Sequence, residues 1–170
     1  MPGRVLIFDT SVLCCLLKVP GKDSAGPLHD RWDHDRVQAL LDSESKSAAT
    51  YFVLPLASII ETGNHISQAP GDRFPVAAGL AGLIRDAANE NSPWAAFTDQ
   101  ADLWGCDQLN ELANSWPQLA AARLSIGDAT IKDVAEYYAR GGVAVEILTA
   151  DAGLKAYQPA EPVMIPRRRR

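Results

Sequence analysis

The sequence predicts a mixed α/β fold built on a mainly parallel sheet, and three observations carry that prediction. Short apolar runs with β-branched or aromatic members stand at 5–8 and 51–54, and a third, interrupted by Glu146, at 143–148; such short runs suit strands buried on both faces. Between them the apolar residues fall at helical spacing. Strands alternating with helices pair in parallel through right-handed βαβ connections. A chain of 170 residues is long enough for one such domain with a substantial core, expected over residues 1–166 with a basic tail at 167–170.

The first strand is Val5, Leu6, Ile7 and Phe8, followed at once by Asp9. Val12, Leu13, Leu16 and Leu17 then mark a helix, so Asp9 is expected at a strand's carboxyl end, where open α/β sheets place their ligand crevices. Residues 18–30 hold Pro20, Gly21, Gly26 and Pro27 and read as an exposed loop. Trp32, Val37, Leu40 and Leu41 predict a second amphipathic helix, with Asp33, His34, Asp35 and Arg36 on a solvated face. Tyr51, Phe52, Val53 and Leu54 form a second strand. The helix after Pro55 carries Leu56, Ile59, Ile60 and Gly63 on one arc and Ser58, Glu61, Thr62 and His65 on another. By periodicity alone that second arc, Glu61 included, could face water.

Residues 68–75 read as a break and 76–88 as a helix of small residues. Asp99, Asp102, Asp107 and Glu111 decorate further helical stretches as a solvated face, and Trp116 and Pro117 predict a new helix start. Ser125 with Asp128 three residues on resembles a capping box with Asp in place of Glu; that helix stops at Gly141 and Gly142. The strand at 143–148 ends in Thr149, Ala150 and Asp151, which repeats the setting of Asp9. Residues 162–165 can supply one more short strand.

Composition narrows the function classes. The net charge of −5 includes four terminal arginines; without them the body stands at −9, which argues against a general nucleic-acid coat but excludes neither a local basic surface nor an acidic pocket that holds divalent cations. Three cysteines offer neither a disulfide framework nor paired metal-ligand spacing. Cys14 and Cys15 are expected to pack within the first helix. No signal peptide or membrane-spanning run is expected, which places the chain in the cytoplasm. No glycine-rich turn follows a strand, so a dinucleotide enzyme lacks support.

Each of the strand-end or helix-start acids has a structural reading as a cap and a chemical one as a ligand. Converging carboxylates repel unless cations neutralise them, and a cluster of hard oxygens suits Mg²⁺ or Mn²⁺ rather than zinc. Four blocks, Asp9-Thr10-Ser11-Val12-Leu13, Ser58-Ile59-Ile60-Glu61, Ser125-Ile126-Gly127-Asp128-Ala129 and Leu148-Thr149-Ala150-Asp151, resemble the acidic blocks of PIN-domain nucleases, in that family's order. The resemblance implies a three-layer α/β/α fold and metal-dependent endoribonuclease activity. It implies Asp9, Glu61, Asp128 and Asp151 as catalytic and metal-binding acids, with Ser11 and Thr149 in support. Asp9 and Asp128 would be the principal ligands of Mg²⁺ or Mn²⁺. Glu61 would hold a water or act as base, and Asp151 would bind a second ion or orient the water. RNA is the implied substrate, and an antitoxin protein and a second copy of the chain are candidate partners. Residues 18–30 and 68–123 are longer than in the family's smallest toxin members, so partner and substrate surfaces are expected to differ. Two other readings stand beside this one. A phosphatase of the haloacid dehalogenase type also starts from a strand-end Asp, but Ser11 occupies the place of its second acid. A non-catalytic module keeping the fold as a partner scaffold would bind no cation.

Overall fold

The computed structural model describes residues 3–162. Three parallel strands form the central sheet: β1 (Arg4–Phe8), β4 (Thr50–Val53) and β5 (Ala144–Leu148), in the order β4-β1-β5. The predicted first strand is therefore the central one. Its alternation sorts the core onto two faces. Leu6 and Phe8 join Phe52, Leu54 and Leu148 on one side, while Val5 and Ile7 join Val53, Val145 and Ile147 on the other. Phe8, Phe52 and Trp94 meet with ring centroids 5.4 to 5.6 Å apart, contacts worth about 0.5–1.5 kcal/mol each beyond their buried area.

Helices cover both faces. The Leu6 side receives α1 (Thr10–Leu16) and α2 (His34–Glu44). The Val5 side receives α6 (Ile126–Arg140) through Ile131, Val134 and Ala135, and α7 (Ala152–Lys155) through Leu154. The remaining helices are α3 (Leu56–Gln68), α4 (Phe74–Ala88) and α5 (Cys106–Ala121), with a 3-10 stretch at Phe97–Trp104. Strands and helices do not alternate throughout, as the sequence suggested: α3, α4, α5 and α6 all lie between β4 and β5. Between them, Trp94 makes a single parallel bridge to Phe52. There the Phe52 N–H donates to the Pro93 carbonyl, and the Ala95 N–H to the Phe52 carbonyl, both at 2.9 Å. That bridge protects the outer edge of β4.

Several boundaries also moved. Residues 18–30 are not simply loop, because β2 (Ser24–Ala25) pairs antiparallel with β3 (Trp32–Asp33). Trp32 belongs to that hairpin and is 7% exposed, so α2 starts two residues later with Asp33 as its cap, accepting from the Arg36 N–H at 2.9 Å. Its first turn is not a wholly solvated face, since His34 Nδ1 lies 2.7 Å from the Leu16 carbonyl. Helix α4 begins inside the expected break, with Pro75 in its first turn, where the missing N–H has no helical partner to lose. Pro117 lies within α5 rather than opening a helix. The Ala113 carbonyl it leaves unserved is on an exposed residue of a helix that buries none. Of the expected strand at 162–165, Pro162 is not in a strand and residues 163–165 lie outside the described residues, as does the basic tail. The outer edge of β5 is met instead by side chains: Lys155 Nζ donates to the Ile147 carbonyl at 2.8 Å, and the Ile147 N–H to Gln158 Oε1 at 3.2 Å. No helix among the described residues is long and apolar enough to cross a membrane.

Candidate functional site

Parallel pairing brings the ends of β1 and β5 side by side, because the Asp9 N–H still donates to the Leu148 carbonyl at 3.1 Å. The chain turns into α1 after Asp9 and into α7 after Asp151. Asp9 is only 5% exposed. Its Oδ2 accepts from Ser11 Oγ and Thr149 Oγ1, each at 2.7 Å, and from the Ser11 N–H at 3.4 Å. The two hydroxyls are themselves acceptors, taking the Ala150 and Asp151 N–H groups at 3.0 Å. Amides of the β5 turn thus polarise hydroxyls that polarise the Asp9 carboxylate, and all of these bonds converge on one of its oxygens. Charge-assisted bonds of this kind are the strong ones, which fixes Asp9 in place.

Glu61 is on the second arc of α3, and that arc does not face water. Ser58 and Thr62 are fully buried, and Thr10 Oγ1 donates to Glu61 Oε2 at 2.9 Å. The other oxygen rests on α6: a Cβ built on Gly127 would lie 2.2 Å from Glu61 Oε1. Only a glycine leaves room for that approach. Asp128 follows in the first turn of α6, where its N–H donates to Ser125 Oγ at 3.0 Å. The half-box read from the sequence is therefore formed by Ser125, leaving the Asp128 carboxylate free of a capping duty. Its pKa is raised above the ordinary carboxylate range, chiefly by burial and further by the charges of Asp9, Asp151 and Glu61, with the Ser125 hydroxyl opposing. Asp151 is exposed, and its Oδ1 accepts from the Gly153 and Leu154 N–H groups at 2.6 and 3.3 Å. Capping and clustering coexist here.

All four acids line one open cleft of about 560 Å³, which also touches Lys22, Cys14 and His65. Among the described residues none of the four takes part in an ion pair. Nor, as the side chains stand, do three or more His, Cys, Asp or Glu among the described residues form a group able to hold a metal ion. The second fact has a local cause. Carboxylates without a counter-charge repel, and each of Asp9, Glu61 and Asp151 is drawn toward its own hydroxyl or amide donors.

Thr10, Gly127 and Lys22 escaped the sequence reading as parts of the site. Gly127 carried a legible signal, because glycine in a helix costs about 1 kcal/mol against alanine and asks for a reason. Cys14 proves to be a cleft-wall residue as well as a core one; burial pushes its thiol up to about 11. No protein-family model, curated protein or solved structure matches the chain.

Proposed function

We propose that this chain is a divalent-cation-dependent endoribonuclease of the PIN-domain kind. The observation that carries the reading is the convergence of Asp9, Glu61, Asp128 and Asp151, from four separate segments, on one cleft without a paired cation. The donor set is made of carboxylate oxygens, the chemistry that Mg²⁺ or Mn²⁺ selects. The Asp128 pKa is raised chiefly by burial, with smaller contributions from the like charges of Asp9, Asp151 and Glu61. Asp9 and Asp128 would hold the ion, with Asp151 and Glu61 beside it. When bound, such an ion supplies positive charge to the phosphate oxygens and acidifies water at neutral pH.

The chain's own residues do the rest. Ser11 and Thr149 hold one oxygen of Asp9 and leave the other for the ligand. Thr10 fixes one Glu61 oxygen, so the carboxylate is held at the cleft wall, where it can accept a proton from an attacking water. Asp151 keeps one oxygen on the α7 amides, which leaves the other free of them. Hydrolysis then follows without a nucleophilic side chain: water attacks phosphorus, its proton passes to a carboxylate, and the bond to the ribose oxygen breaks as that oxygen takes a proton from solvent. RNA is the substrate in this reading, and an antitoxin protein is the expected partner if the nuclease acts as a toxin.

Asp9→Asn tests it. The substitution should abolish Mn²⁺-dependent RNA cleavage and Mn²⁺ binding by calorimetry while the protein stays folded; unchanged cleavage sinks the reading. One observation favours the second reading, a non-catalytic PIN-fold module: the acids do not form a chelating group as they stand. Absence of Mn²⁺ binding to the unaltered protein would decide for that module.

A further inference from the structure

The acid cleft is short of positive charge even when loaded. One divalent ion does not neutralise four carboxylates, so a phosphodiester would enter a site that still repels it. Among the described residues that line the cleft there is no arginine and a single lysine, Lys22.

Lys22 follows α1, in the turn that leads to the β2–β3 hairpin. Its backbone is held on both sides: the N–H donates to the Val19 carbonyl at 2.8 Å, and the carbonyl accepts from Cys15 Sγ at 3.9 Å. Gly21 before it takes φ +78°, a conformation that a side chain would strain. The lysine side chain itself is uncommitted. Lys22 is exposed, and among the described residues it enters no ion pair. Its charge is nevertheless felt on the cleft wall. Burial and the neighbouring Cys15 raise the Cys14 pKa; next in size comes the Lys22 charge, which lowers it and outweighs that of Asp9. The leading charges on Asp128, by contrast, are all acidic: Asp9, Asp151 and Glu61. The lysine is therefore close to the acids without neutralising them.

We propose that Lys22 is the cleft's own phosphate contact, its ammonium placed against a non-bridging oxygen of the phosphodiester being cleaved. A lysine suits this place as a compact point charge with three donors. In a cleft otherwise walled by carboxylates, it supplies positive charge where negative charge gathers on phosphorus oxygens. The inference rests on the ribonuclease reading and adds to it a residue that touches the substrate.

Lys22→Gln, which keeps the stem and loses the charge, tests it. With a single-stranded RNA oligonucleotide in Mn²⁺, kcat/KM should fall about 10- to 100-fold, the range for a hydrogen bond to a charged group. The slope of log KM against log salt should shrink by about 0.7, as the loss of one phosphate contact does on a single strand. Lys22→Arg should restore kcat/KM to within a few-fold. Mn²⁺ binding, read by calorimetry without RNA, should move the other way. Lys22→Gln tightens it and Lys22→Glu tightens it further, because positive charge near the ion is first removed and then reversed. A merely structural lysine would weaken cleavage and Mn²⁺ binding together. Should Lys22→Gln fail to fold, Lys22→Ala carries the same readings. Unchanged cleavage, an unchanged salt slope, or Mn²⁺ binding that weakens in step with cleavage would overturn the inference while leaving the nuclease standing. A protein that cleaves no RNA with Mn²⁺ removes both.

Discussion

Gly127→Ala separates the site from the scaffold. The added methyl would stand 2.2 Å from Glu61 Oε1, roughly 1.3 Å inside the ~3.5 Å at which non-bonded heavy atoms settle. The obstacle is the end of a side chain, so the helix need not move and Glu61 must. Alanine gains up to about 1 kcal/mol of helix propensity. Against this, the Thr10–Glu61 bond at 2.9 Å is worth about 1.5–3 kcal/mol as a hydrogen bond to a charged group, less here because Glu61 is only half-buried. Stability should therefore fall by about 2 kcal/mol at most, or some 4–8 °C in Tm for a chain of this size. Activity should fall much further, since misplacing a reacting group by about 1 Å costs on the order of 100-fold. Thermal melting and single-turnover RNA cleavage in Mn²⁺ measure the two. Cleavage within a few-fold of the original would refute a catalytic placement of Glu61. A loss of more than about 10 °C would show that the close approach serves packing instead.

Asp128→Asn should stabilise the protein without metal. Native Asp128 keeps its proton to higher pH than the unfolded chain does, so the folded state binds more protons just above the ordinary carboxylate pKa, and stability falls as pH rises through that window. The gain in Tm should be larger at pH 7 than at pH 4; an equal or opposite change would disprove the raised Asp128 pKa. Mn²⁺ at 100 times its Kd should add about 2.7 kcal/mol to the stability of the unaltered protein and nothing to that of Asp9→Asn, as read by thermal shift. Thr149→Val removes a 2.7 Å donor from Asp9 and the acceptor of the Asp151 N–H; a cost of about 1–3 kcal/mol in urea unfolding is expected, and no change would show that water replaces the hydroxyl. A thiol reagent at pH 8 should label exposed Cys106 at once, and Cys14 and Cys15 only on unfolding, since both thiols are buried and pushed up to about 11; three fast equivalents would contradict that burial.

Local chemistry wrote much of this protein into its sequence. The run Val5-Leu6-Ile7-Phe8 could only be a strand covered on both sides, and it is the central one. Ser125, Asp9 and Asp151 announced helix starts because a short polar side chain satisfies free amides within two or three residues, which no distant contact need supply. The order of the four acids was likewise legible. What periodicity could not decide was which arc of α3 turns inward, since a wheel carrying both Ile60 and Glu61 has two plausible faces. Packing of α3 on α1 and α6 decided it, leaving Ile60 exposed and Ser58 and Thr62 buried. The hairpin at 24–33 was equally invisible, because strands of two residues carry no period, and the side-chain bond across it, from Arg31 to Ser24 Oγ at 2.6 Å, follows no pattern. Convergence of the acids also belongs to the tertiary structure: sequence spacing puts each carboxylate at the end of its own element, and only parallel pairing of β1 with β5 and the seat of Glu61 against Gly127 bring them to a common cleft.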